Sequence, residues 1–218
     1  MRSSAVRKPS SKPDATIAGR GKLLRAAETI IVESGVQGVT ARSLTRRAGV
    51  NLGMVSYHFD GMDGLMLRVF NENFEKFISA QTRLWDELGE QRRGPDLNAI
   101  LGAVVRSLWQ PPVHIDHGRG SQIIDDLYSH GSLTVRRAAV KRLEAGLVAL
   151  MDQLAPLVPH LSRDALMLRL TCIAGAVRSL VPRSSSWELY CKLAATAARS
   201  DPDVIREVTA FAVASLLR

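Results

Sequence analysis

"ARSLTRRAGVNLGMVSYHF", Ala41 to Phe59, sets a basic helix-forming segment, the turn Ala48-Gly49-Val50-Asn51, and a second short segment ending in Tyr57-His58-Phe59 in succession. Helices this short bury little alone and need a neighbour to pack on. Just before them, Leu23, Leu24, Ala27, Ile30 and Ile31 recur at helical spacing, and Ser34-Gly35 supplies a stop. Each residue type in the stretch has a physical role. Thr40 caps the second helix and Asn51 the third. Gly49 turns the backbone with φ > 0 at little cost. Ala48 permits a close crossing, and Val50 plugs the angle. Val55 and Phe59, four apart, face inward; Leu52, Met54, Ser56, Tyr57 and His58 project largely elsewhere. This is the pattern of a helix-turn-helix. Its last helix fits a major groove, with the first turn closest to base edges. On pattern alone, a three-helix packing unit without a ligand is the alternative.

The charge supports a polyanionic partner. Ten Lys or Arg stand among the first 62 residues against four acids, so most of the net +8 lies there. Nucleic acid or an anionic membrane surface would suit such a segment, as would a merely solvated tail. Apolar residues make up 46% of the 218, enough for a sizeable core, and no run of about 18 uncharged apolar residues suggests a membrane span. The first twenty residues lack the apolar stretch of a secretory signal. Cys172 and Cys191 have no CxxC partner and fit a reducing cytosol as buried structural thiols.

Along the rest of the chain the periodicity predicts helices and no strands. The expected spans are Met62 to about Leu88, Leu97–Trp109, Gln122–His130, Thr134 to about Leu157, Ser162 to about Val181, Trp187–Arg199, and Asp201–Leu217 with Pro202 in its first turn. The fold class expected is all-α: an N-terminal three-helix DNA-binding domain over 17–62, preceded by a flexible basic arm (1–16), and a larger helical domain over 63–218.

The segment Leu23 to Met66 resembles the N-terminal domain of the TetR family of bacterial transcriptional regulators. The matching features are Ala26-Ala27, Gly35, Gly38, Thr40, Arg42, Leu44, Ala48-Gly49-Val50, Tyr57-His58-Phe59 and Leu65. Two departures stand out. The family usually carries a phosphate-holding Lys where Met62 stands, and many members have an aromatic at the place of Ser56. The residues assigned to DNA are Thr40, Arg42, Ser43, Asn51, Leu52, Gly53, Met54, Ser56, Tyr57 and His58. Thr40 and Ser43 offer hydroxyls and free N–H groups at a helix start, where a phosphate fits. The resemblance gives Arg42 reach to bases, and gives Tyr57 and His58 backbone or base-edge contacts. Met54 is assigned to a thymine methyl, and Gly53 allows close approach. Arg46 and Arg47 are read as general electrostatics or as partners of nearby acids. Arg2, Arg7, Lys8 and Lys12 either follow the minor groove or stay solvated.

The resemblance also implies that the later helices bind a ligand and dimerise. Leu170, Ile173, Val177, Val208, Phe211 and Leu216 are the residues expected at the dimer interface. Trp85, Trp109, His114, His117, Tyr128, Met151 and Met167 are those expected to line an effector pocket. His114-Ile115-Asp116-His117 sits in a loop without a second cluster, so no metal is expected. No cofactor is expected either, and no nucleophile–base–orienter set points to an enzyme. The expected function is a cytoplasmic, ligand-responsive repressor that binds double-stranded palindromic DNA as a homodimer. Alternatives are a regulator governed by a protein partner or without an effector, and, from another class, an all-α enzyme using the C-terminal cavity.

Overall fold

The computed structural model describes residues 12–89, 96–109, 119–180, 189–190, 192–193 and 201–218. The described residues are helical, with no strand among them. In chain order they form α1 (Lys12–Ser34), a 3-10 turn (Val36–Gly38), α2 (Ala41–Ala48), α3 (Gly53–Phe59), α4 (Met62–Gly89), α5 (Leu97–Trp109), α6 (Arg119–His130), α7 (Leu133–Leu154), a second 3-10 turn (Ala155–Leu157), α8 (Arg163–Ser179) and α9 (Asp201–Leu217). Residues 189–190 and 192–193 are helical too. Helix α1 starts at Lys12, earlier than the expected Ile17. Pro13 suits a first turn, where its missing N–H costs nothing.

The chain divides into two compact units. The first contains the residues up to Asn71 together with Asp125–Ala138; the second contains Glu72–Ile124 and Ala139–Arg218. In the first, α2 and α3 pack against α1. Its core is built from Leu23, Ala27 and Ile31 of α1, Leu44 and Ala48 of α2, Val55 and Phe59 of α3, and Leu65, Val69 and Phe70 of α4, all buried. These include the positions at which the apolar period demanded a core.

In the second unit, α5 packs against α8 and along α9, and α8 and α9 also touch. Leu101, Val105, Leu154, Leu166, Leu170, Ile173, Val177, Val208, Ala212 and Leu216 belong to one apolar cluster. The half-buried Arg169 of α8 donates to the Ser215 carbonyl of α9 at 2.5 Å, placing a cation on a carbonyl in the last turn of that helix. Ser162 caps α8 as expected, accepting from the Ala165 amide at 3.1 Å.

Five of the six residues expected at a dimer interface, Leu170, Ile173, Val177, Val208 and Leu216, lie in this core. A side chain already buried within its own chain has no surface left for a partner. Only Phe211 faces outward. Cys172, expected to be buried, is an exposed free thiol, while Cys191 falls outside the described residues.

Candidate nucleic-acid interface

The turn between α2 and α3 is made as its residues require. Gly49 ends α2 in the left-handed region at φ 65°, ψ 36°, which a β-carbon would disfavour. At the other end of α2, Thr40 and Ser43 form a capping box: the Ser43 amide donates to Thr40 Oγ1 at 3.1 Å, and the Thr40 amide donates to Ser43 Oγ at 2.9 Å. The Ser43 hydroxyl also lies 2.7 Å from the Gly38 carbonyl, to which it donates. Ser43 thus shapes the helix start. Thr40 remains exposed. Asn51 Oδ1 accepts from the Met54 amide at 3.2 Å, capping the first turn of α3 and leaving its amide NH2 outward.

Helix α3 sorts the expected contact residues into two groups. Val55 and Phe59 are buried inward, as read. Asn51, Leu52, Gly53, Ser56 and Tyr57 are exposed, with Tyr57 76% and Leu52 50% accessible. Met54 and His58 are different. Met54 is half-buried, and the end of its thioether lies against α1 at Gly19, where a methyl would overlap Met54 Cε. His58 is half-buried as well. Its ring stands edge-on to Tyr57 at 4.9 Å between centroids and 6.0 Å from Phe59. Its Nε2 is buried with no hydrogen-bond partner among the described residues. Both side chains lie against α1 at Gly19 while keeping part of their surface exposed. Arg20 of α1 lies over the Phe59 ring at 5.7 Å and adds to the same junction.

On α2, Arg42 and Arg46 are exposed and four residues apart, so they share a face. Arg47 instead forms a fork with Glu33 of α1, at 2.9 and 2.5 Å, as expected of a partner for a nearby acid. Arg46 was not among the assigned DNA residues, although its i+4 spacing from Arg42 was visible. Thus the outward set is Thr40, Arg42 and Arg46 with Asn51, Leu52, Gly53, Ser56 and Tyr57. It combines cations for phosphates with an aromatic and an apolar tip for a groove.

Of the expected pocket residues, Trp85 and Trp109 lie on helices whose side chains there are not described, and His114 and His117 fall outside the described residues. Tyr128 belongs to the first unit and is exposed at the edge of α6. Met151 is buried in the core of the second unit, whereas Met167 lies outward on α8. These two do not share a cavity wall. No group of His, Cys, Asp or Glu suited to a metal occurs among the described residues. None of the described helices is long and apolar enough to cross a membrane.

A capped helix pair with a left-handed glycine between them, an exposed second helix, and arginines beside it make up a helix-turn-helix unit. Residues 23–69 match bacterial regulatory proteins of the tetR family. A relative from Paraburkholderia phymatum, the HTH-type transcriptional regulator BetI, is 25% identical over 153 residues, covering 62% of this chain and 78% of the relative. A solved TetR-family regulator from Streptomyces coelicolor has a TM-score of 0.61 at 20% identity, covering 96% of each chain. A solved transcriptional regulator from Rhodococcus has a TM-score of 0.60 at 18% identity, covering 91% of this chain and 95% of that one. The likeness to the tetR family is carried by residues 23–69, and the solved regulators share the all-helical fold of the chain.

Proposed function

We propose that the chain is a repressor that binds a palindromic DNA operator as a homodimer in the cytoplasm and releases it on binding a small molecule. The observation that carries DNA reading by α3 is the exposure of Tyr57 and Leu52 beside Arg42 and Arg46. A seven-residue helix gains nothing in stability from presenting an aromatic at 76% exposure, but a base stack or sugar would bury it. With Met62 where the family's usual phosphate-binding Lys stands, Arg42 and Arg46 carry more of the backbone attraction.

The dimer reading rests on the outer faces of α8 and α9. On α8, Met167, Leu168, Thr171 and Cys172 are exposed in succession; on α9, Ala210, Phe211, Ala214 and Leu217 are exposed. Both rows are uncharged, and Arg169, between Leu168 and Thr171, is half-buried and donates to the Ser215 carbonyl. Two such rows on touching helices suit a self-complementary patch, and a two-fold pair of reading helices implies a palindromic site. The small-molecule effector rests on the family alone. Such a ligand would act by binding the DNA-free arrangement more tightly and shifting the population toward it.

Selecting bound sequences from random duplex DNA tests the reading. A two-fold symmetric consensus is expected, and Tyr57→Ala or Arg42→Ala should weaken binding to it by about 1–3 kcal/mol. If both variants stay folded and bind as the parent does, α2 and α3 are not the reading pair.

A further inference from the structure

The first unit contains a contact that DNA reading, as described so far, does not use. The 3-10 turn Val36–Gly38 joins α1 to α2, and the residue that should cap it is Gly35, which has no side chain to do so. Its φ of 74° suits glycine. The first amide of the turn, that of the buried Val36, donates instead to Asp126 Oδ2 on α6, 90 residues away. The other carboxylate oxygen, Oδ1, lies 2.9 Å from His130 Nδ1 one helical turn on. An ionised carboxylate only accepts, so this bond requires the proton on Nδ1. The next residue of the turn adds a second tie, with Gln37 Nε2 donating to the His130 carbonyl at 2.8 Å. A β-carbon at Gly35 would sit 3.6 Å from Asp126 Oδ2, an ordinary contact, so the glycine is called for by its φ and not by lack of space.

These bonds continue to the DNA-facing end of α2. The Val39 amide donates to the Val36 carbonyl at 3.0 Å, and the Thr40 amide donates to the Gly38 carbonyl at 3.0 Å. The Ser43 hydroxyl donates to that same Gly38 carbonyl at 2.7 Å, closing onto the capping box that starts α2. Asp126 is thus connected, through one turn of backbone, to the residues immediately flanking Arg42.

We infer that Asp126 is a positioning residue for DNA reading: as a long-range cap it holds the α1–α2 turn, and through it the start of α2, in the geometry that presents Thr40 and Arg42. This rests on α2 and α3 being the reading pair. Without the carboxylate the Val36 amide is buried and unpaired, and the turn has to shift to find another acceptor. The device depends on Asp126 accepting a hydrogen bond and not mainly on its charge, so an amide oxygen at the same place serves in its stead.

The test uses the full chain and its selected duplex DNA. Asp126→Ala, Asp126→Asn, Tyr57→Ala and Val135→Ala are compared at a temperature where all are folded. Val135 is buried in the same unit and reports what loss of stability alone does. Asp126→Ala is expected to bind about 10-fold or more weakly, with faster hydrogen exchange at the Val39, Thr40 and Leu44 amides. Asp126→Asn is expected to restore most of the affinity and protection, and Val135→Ala to bind like the parent. Asp126→Ala binding like the parent while Tyr57→Ala fails would overturn the inference and leave the reading pair standing. Equal losses in Asp126→Ala and Val135→Ala would overturn it as well, since the effect would then be one of stability. Tyr57→Ala binding like the parent would overturn the reading pair and the inference together.

Discussion

Ile173→Glu is expected to unfold the second unit instead of releasing a folded monomer. Ile173 is 2% exposed, within the cluster shared by α5, α8 and α9. A glutamate there loses the transfer energy of the isoleucine and carries a carboxylate into an apolar cluster. Together these cost about 4 kcal/mol or more, a large share of the 5–15 kcal/mol by which a domain is ordinarily stable. On the outer face the outcome differs. Leu168 and Phe211 are 65% and 55% exposed, so Leu168→Glu and Phe211→Glu leave the core intact and place like charges across a symmetric contact. Light scattering should then give half the parent mass with an unchanged helical signal, and binding to a palindrome should fall with it. Exposed-face variants that keep the parent mass and bind normally would place the dimer contact elsewhere.

The contrast between Ile173 and Leu168 marks what the sequence could not decide. Periodicity identifies that α8 and α9 have apolar faces and even how wide they are. Leu166, Leu170, Ile173 and Val177 recur at three and four, as a core face must. Leu168 and Cys172 recur at four on the opposite side, and a count of apolar residues does not say which face meets the chain's own α5 and which is left outside. The reading unit was legible because its signals are local: Gly49 at a left-handed turn, Thr40 three residues before Ser43, Val55 four before Phe59. The packing of Met54 and His58 on α1 at Gly19 was not legible, because that element lies some 35 residues away and one glycine in a helix gives little hint of a neighbour that fills its space. Asp126 is the extreme case. Its capped amide is separated from it by 90 positions, and no short-range pattern links the two.

Gly64→Ala is the substitution for which helix propensity and packing predict opposite signs. Alanine in place of glycine inside a helix ordinarily stabilises by about 1 kcal/mol. Gly64 lies in the first turn of α4, just past the tight junction with α3. Asp60 ends α3 in the left-handed region at φ 59°, Gly61 follows at φ 101°, and the Leu65 amide donates back to the Gly61 carbonyl at 3.1 Å. A methyl on Gly64 would overlap the Phe59 carbonyl oxygen. That atom is backbone and cannot rotate aside as a side chain would, so the junction itself has to open. Opening it draws Phe59 and Leu65 apart, and both are buried in the first unit. Overpacking of this kind costs about 1–3 kcal/mol, enough to cancel the propensity gain and reverse its sign. Because Tyr57 and Ser56 ride on the helix that must move, DNA affinity is expected to fall as well, at temperatures where the variant is still folded. Denaturant unfolding of Gly64→Ala beside the parent checks the sign, and a more stable variant with full DNA affinity would mean that α3 and α4 are not held as closely as this junction requires.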